Sequence, residues 1–316
     1  MSVKASNELR INYGGQAVLE GVMMRGRRAV AIAVRHPAGH IVLKSEPLNP
    51  NRLSQRLRGV PFIRGAVSLW EMLVIGMKAL NYSGNVMLDD GREGATEDPP
   101  GAMGVSLAIG VVGGIALFFV LPLVLTSFTD DIVESDFVSN VVEGGIRMGV
   151  FIAYMALIGL LPDIKRVWMY HGAEHQTINA VEDGRILTVD NVQRQPIQHP
   201  RCGTSFMVTL VAISILVFAL MGRPSMELRV LSRIVLLPVI AGIGYEFIMI
   251  TARHRGNLVA RLVSAPGMWF QRLTTREPDS LQIEVAIAAM DKVLELEEDL
   301  HDLRPPVMVA TDDRAT

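Results

Sequence analysis

Apolar residues run almost unbroken through four stretches of the chain, at about 103–128, 146–161, 205–221 and 234–252. A bilayer core requires roughly 20 such residues in a helix, so each stretch predicts a transmembrane helix. The second is short, with Arg147 at its start and Pro162 just past its end. The first holds Gly110 and Gly114 at a spacing that admits close helix approach, or that reflects the ordinary glycine enrichment of membrane helices. A fifth apolar stretch, 60–80, has a different pattern. Arg64, Glu71 and Lys78 recur every seven residues and line one stripe of a helix. Three charges make spanning expensive. The pattern therefore predicts an amphipathic helix on the membrane or against the bundle, with a re-entrant segment as the alternative.

Elsewhere the period changes. Residues 29–34 and 41–44 read as strands around a turn at Pro37-Ala-Gly39, and Gly14-Gly15 and Gly21 suggest tight turns nearby. Residues 89–101 have the composition of a solvated linker. A helix is expected from Asp163 to Glu182, stopped by Gly184, then a short strand-like piece at 186–189. Trp269 and Phe270 suit a membrane interface. Residues 284–300 carry Val285, Ala289, Val293, Leu296 and Leu300 at helical spacing, a face for packing in cis or in a dimer. The predicted class is mainly α, a polytopic membrane protein with about four transmembrane helices and a small β-rich N-terminal cytoplasmic unit. In order, the chain reads as that β-rich unit (1–59), the amphipathic or re-entrant helix (60–82), an acidic linker (83–102), transmembrane helices one and two (103–162), a cytoplasmic histidine segment (163–203), transmembrane helices three and four (204–252) and a cytoplasmic C-terminal region (253–316).

Composition agrees with a membrane setting. Half of the residues are hydrophobic, only 20% are charged and mean hydropathy is +0.33. A net charge of −2 gives nucleic acid no concentrated basic surface to bind. One cysteine, Cys202, cannot form an internal disulfide. The first ten residues are polar and no apolar stretch with a cleavage site follows, so no signal peptide is expected. Thirteen Lys and Arg residues precede the first span, whereas the loop 129–145 has none and carries five acidic residues. The loop 163–204 and the tail after 252 are basic. By the positive-inside rule both termini and the histidine segment face the cytoplasm. Arg223, Arg229 and Arg233 disagree, falling in a loop that should lie outside.

The candidate chemistry is concentrated in His171-Gly-Ala-Glu174-His175 and His199-Pro-Arg-Cys202. Histidines four apart on a helix stack on one face, where both imidazoles reach one ion. The order H-x-x-E-H is that of inverted zinc peptidases, in which the glutamate activates the attacking water. Ile164, Trp168, His171, His175, Ile178 and Glu182 share a face, which turns the imidazoles inward. His199 and Cys202, three apart in a proline-containing turn, suit two ligands on the same ion, and Cys with His favours zinc. Alternatively they pack and cap at the interface. Arg201 would hold an anionic substrate or Glu174. Glu182 either joins the site or forms a polar cluster at the helix end. Glu246, ionisable at membrane depth, is either a further ligand or the partner of an arginine. His36, His40 and His254 read as surface residues, and Gln16 and Glu20 have no spacing argument behind them.

Gly14-Gly-Gln-Ala-Val-Leu-Glu-Gly-Val-Met-Met-Arg25, Tyr170-His-Gly-Ala-Glu-His175, His199-Pro-Arg-Cys-Gly-Thr-Ser205 and Gln271-Arg-Leu-Thr-Thr-Arg-Glu-Pro278 together resemble the YqhQ-like family. These are bacterial polytopic membrane proteins of unknown function, labelled as predicted metal-dependent enzymes. The resemblance implies a membrane setting and a metal, but no substrate.

The expected function is that of a metal-dependent hydrolase embedded in the cell membrane, acting at the cytoplasmic face on a lipid or peptide. His171, His175, His199 and Cys202 would bind zinc and Glu174 would be catalytic. Four protein ligands would close a zinc site, while catalysis needs an open position. The alternative is a non-catalytic scaffold or assembly factor with a structural metal or histidine cluster, docking a membrane-protein partner or a second copy. Transport ranks last, because four spans with one clearly ionisable residue are few.

Overall fold

A computed structural model describes residues 13–48, 56–57, 59–88, 102–128, 132–222, 224–254 and 256–302; of the linker expected at 83–102, residues 89–101 lie outside them and 83–88 are instead helical. Four strands, β1 (Gly14–Val18), β2 (Gly21–Arg25), β3 (Ala29–Arg35) and β4 (Ile41–Pro47), form an antiparallel meander in that order. The turn at Pro37–Gly39 forms as the sequence predicts, with Gly39 at φ +94°. A tight turn does lie beside Gly21, but Gly14, Gly15 and Gly21 are not its turn residues. They lie inside strands, and the chain reverses instead at Leu19-Glu20, with Glu20 at φ +48°. At Gly15 and Gly21 the lack of a side chain serves close approach: a Cβ on Gly15 would stand 2.6 Å from the Met23 carbonyl oxygen.

Both faces of the sheet are covered, which is why β2 and β3 read as continuous apolar runs rather than alternating ones. Helix α1 (Ile63–Leu88) packs on Val18, Met23, Val30, Ile32 and Val34. The other face, with Val22, Met24, Ala31 and Ala33, packs on α5 (Pro162–Glu182) and α11 (Ser280–Asp302). On α11 the expected positions Val285, Ala289 and Val293 are all buried, so this amphipathic face is used within the chain.

The apolar stretches fold as helices. Helix α2 (Ala102–Ile115) continues through a π-helical segment, Ala116–Val120, into α3 (Leu121–Ser127). Helix α4 (Asp136–Ile158) and α7 (Gly203–Ala219) follow, then the bent pair α8 (Met226–Val235) and α9 (Leu237–Arg253). Among the described residues two helices, Ala108–Ser127 and α4, are long and apolar enough to cross a membrane, or three if the pair bent by 42° counts as one span. Helix α7 is apolar but has only 17 residues. The expected span at 146–161 begins instead at Asp136. Its helix runs through two charges that hydropathy reads as a boundary, because Glu143 and Arg147 sit one turn apart and pair at 2.6 Å.

Glu143 is the centre of a buried network. It also accepts from Arg233 at 2.8 Å, while Arg147 Nε donates to the Phe118 carbonyl oxygen, at 3.0 Å, within the π-helical segment. Helix α8 is built inside out. Arg229 and Arg233 are 7% and 2% exposed, whereas Leu228, Leu231, Ile234 and Val235 are each more than half exposed. This places both arginines in the interior rather than in a loop, while Arg223, expected in the same loop, lies outside the described residues. Glu143→Ala would leave Arg147 and Arg233 buried without their anion. It is expected to cost about 3 kcal/mol, read as a lower thermal midpoint in detergent micelles; an unchanged midpoint would mean that the network contributes nothing to stability.

Helix α1 joins the two parts of the molecule. One end lies on the sheet and the other packs on α9, where Gly65 fits beneath Tyr245 and Arg64 grips Glu246 through two bonds of 2.6 and 2.5 Å. Glu71 pairs with Arg25 at 3.1 Å, so two of the three stripe charges have partners and Lys78 stays exposed. In helix α10 (Leu258–Thr274), Leu258, Val259, Leu262, Val263 and Trp269 are exposed while Phe270 stacks on Phe151 with centroids 5.0 Å apart. The strand expected at 186–189 is absent. After Gly184, at φ +66°, the chain has no strand to pair with, and Thr188 instead caps a short helix, α6 (Val189–Gln193), accepting from Asn191 N at 3.3 Å.

Candidate metal centre

Helix α5 was expected to bury one face. Its middle, from Gly172 to Ile178, is buried all round, because the sheet, α11, the loop before α7 and the segment that follows α10 enclose it. Gly172, the glycine between His171 and Glu174 in the motif, lies under the Arg276 carbonyl, and a Cβ there would collide with that oxygen. A backbone oxygen cannot swing aside as a side chain can. Gly172→Ala is therefore expected to cost about 1–3 kcal/mol, seen as a lower unfolding midpoint; no change would show that the 276–278 segment yields freely.

His171 and His175 emerge with ring centroids 4.3 Å apart. His171 Nδ1 lies 2.9 Å from the Thr274 carbonyl oxygen and His175 Nδ1 lies 2.7 Å from that of Ile197. A carbonyl only accepts, so each Nδ1 carries a hydrogen and Nε2 is the nitrogen left to face a metal. This is the arrangement that outer-shell acceptors impose on metal-binding histidines. Cys202 completes the group: its Sγ is 3.2 Å from His171 Nε2, and the donor atoms of the three residues lie within 4.8 Å of one another.

Cys202 is the N-cap of α7, where its sulfur accepts from Thr204 N at 3.4 Å. Burial pushes the thiol up, but His171 and His175 beside it outweigh that and hold it well below its ordinary range. For His171, burial favours the neutral ring, yet the adjacent sulfur raises it to about 9. Both shifts act in the same direction, favouring a proton on the His171 ring over one on the Cys202 sulfur. Glu174 is 5% exposed and makes no hydrogen bond among the described residues. Burial raises its carboxyl above the usual range, with His171 and His175 pulling the other way. Strand β1 lies directly over it: a Cβ on Gly15 would come within 2.9 Å of Glu174 Oε1.

His199 stands apart from the three convergent donors. It is held by Gln271, which accepts from His199 N at 2.9 Å and donates to His199 O at 2.8 Å. Its ring centroid is 5.8 Å from that of His175, and Nε2 is turned toward Glu182, 3.6 Å away. Arg201 pairs with Glu182 and not with Glu174. Burial works against the Glu182 carboxylate, but His199 and Arg201 carry it down to about 2. Glu246 lies on α9 with Arg64, away from this group. Residue spacing missed the supporting shell: Gly15 over Glu174, Thr204 and Thr274 around the sulfur and His171, and Gln271 under His199. It also missed Glu20, which accepts from Arg166 at 2.6 Å and Tyr170 at 3.2 Å and ties the β1–β2 turn to α5. Gly15 and Glu20 fall in the 14–25 motif, Gln271 and Thr274 in the 271–278 motif. Those motifs were the available signal.

A family model described as a protein of unknown function (DUF1385) matches residues 60–296. The chain is similar to the Uncharacterized protein YqhQ of Bacillus subtilis (strain 168), being 34% identical over 295 residues that cover 90% of this chain and 93% of that one. No solved structure matches it.

Proposed function

The chain belongs to the DUF1385 family, and from that premise we propose that it is a membrane-embedded, metal-dependent hydrolase. One observation carries the reading: two imidazole nitrogens and one sulfur converge within 4.8 Å beside the buried carboxylate of Glu174. The donor set fits zinc, which takes nitrogen and thiolate ligands and, in catalytic sites, three protein ligands with a fourth position open. His171, His175 and Cys202 would hold the ion, and a bound ion would supply Lewis acidity. Glu174 takes the proton of the attacking water and returns it to the leaving group. Its raised affinity for protons suits that exchange. His199, gripped by Gln271, orders the loop that delivers Cys202 rather than closing the coordination sphere. Arg201 and Glu182 form the polar rim.

The proposal extends to topology. The helix from 102 to 127, α4, α7 and the bent pair α8–α9 form four spans of the cell membrane, with both termini and the metal centre on the cytoplasmic side. The distribution of Lys and Arg supports this orientation once Arg229 and Arg233 are assigned to the interior. The test is metal analysis of detergent-purified protein, prepared without chelators, beside its His175→Ala variant. Stoichiometric zinc in the first and its loss in the second is the expected outcome. Equal trace metal in both would sink the reading.

A further inference from the structure

Among the described residues, strand β1 is an edge of the sheet, paired with β2 alone. The direction of its free hydrogen-bonding groups follows from a single contact. Arg35 N donates to Glu20 O at 2.8 Å, so the Glu20 backbone points toward β3. Successive residues in a strand point their N–H and C=O groups to opposite sides, so Gly21 points toward β1 and pairs with Val18. Val18, Gln16 and Gly14 therefore bond to β2, while Gly15 and Ala17 aim their N–H and C=O groups off the sheet. Both are half-buried, and neither makes a hydrogen bond on that side among the described residues. Gly15 is also the residue whose missing side chain lies against Glu174.

We infer that this edge binds the substrate, and that the substrate is an extended peptide segment added as a further strand beside β1. The inference rests on the hydrolase reading and selects one of its two substrate classes. A donor and an acceptor repeated every second residue, ~6.8 Å apart, match the main chain of an extended peptide. An acyl chain offers neither group, and a phosphate offers acceptors only. An added strand runs ~4.8 Å from β1, so the residue opposite Gly15 passes alongside the Glu174 carboxylate. The Cβ-free backbone at Gly15 is what lets the Glu174 carboxylate lie against this strand. Hydrolysis of the amide there consumes one water: the hydroxyl goes to the carbonyl carbon, the C–N bond breaks, and the proton passes through Glu174 to the departing nitrogen.

The experiment uses the full chain, zinc-loaded in lipid nanodiscs, with a pool of quenched fluorogenic mixed-sequence decapeptides as the probe. Cleavage is expected. Ala17→Pro removes a single outward N–H without touching the β1–β2 ladder, and is expected to raise KM at least tenfold while bound zinc stays unchanged. A second measurement leaves the protein intact. In one cleaved decapeptide, N-methylation of alternate amides near the scissile bond should abolish cleavage, and N-methylation of the intervening ones should not. Cleavage indifferent to both changes overturns edge pairing. A zinc-bound protein that hydrolyses lipid esters but no peptide overturns the substrate class and leaves the hydrolase standing. Absence of stoichiometric metal removes the hydrolase reading and this inference with it.

Discussion

Replacing His175 by alanine is expected to strip the protein of its metal, from about one zinc per chain to below a tenth of that after chelator-free purification. Two residual donors from His171 and Cys202 cannot hold zinc against ordinary buffers. His199→Ala separates three ligands from four: with Nε2 turned 3.6 Å from Glu182, its loss should leave zinc content near that of the unaltered chain. Loss of zinc from both variants would mean that His199 swings in to close the sphere, and the site would then be structural. Affinity should also track pH with a definite sign. His171, raised to about 9 beside the Cys202 sulfur, carries a proton at neutral pH that zinc must displace. Apparent affinity is therefore expected to rise about tenfold per pH unit through this proton, and to level off above about 9. Zinc titrations monitored by calorimetry at several pH values check this. A flat profile between pH 6 and 8 would contradict a proton on the His171 ring.

Glu174→Gln is expected to lower turnover by roughly 10²–10⁴-fold, the usual contribution of a positioned general base, with zinc content and unfolding midpoint retained. The retention is what gives the result its meaning. Glutamine keeps the volume that β1 closes over but cannot accept the water's proton, and Glu174 makes no hydrogen bond among the described residues whose loss would loosen the fold. Metal analysis, thermal unfolding and peptide hydrolysis on the same preparation provide the three readings. If the variant supports the same cellular phenotype as the unaltered chain, the metal ties α5 to the start of α7 and the protein is a scaffold.

How far the chain could be read depended on the range of the interactions involved. Helix α5 was legible almost to the residue, from its proline start to the glycine that ends it, because helix signals are local. Its pair of histidines was legible for the same reason. The limits of α4 were not, because hydropathy scores Glu143 and Arg147 as two charges, whereas folded they form one neutral pair. The same effect hid α8, whose Arg233 looks like a loop residue until its carboxylate, Glu143, 90 positions away in the chain, is brought beside it. Glu246 was legible as a group needing a partner; that the partner is Arg64 depends on how α1 lies against α9.

The sequence by itself determined that the chain is mainly helical, that several helices are apolar enough for a membrane, and that His171, Glu174 and His175 share one stretch of helix. Each follows from interactions between residues within a turn or two of one another. Only the tertiary structure decided that Cys202 joins them while His199 turns away to Glu182, that two backbone carbonyls fix both imidazole tautomers, and that the β1 edge closes over Glu174. Those contacts join residues from β1, α5, the 197–202 loop and the end of α10. Their distances depend on how whole elements pack, which no local pattern encodes.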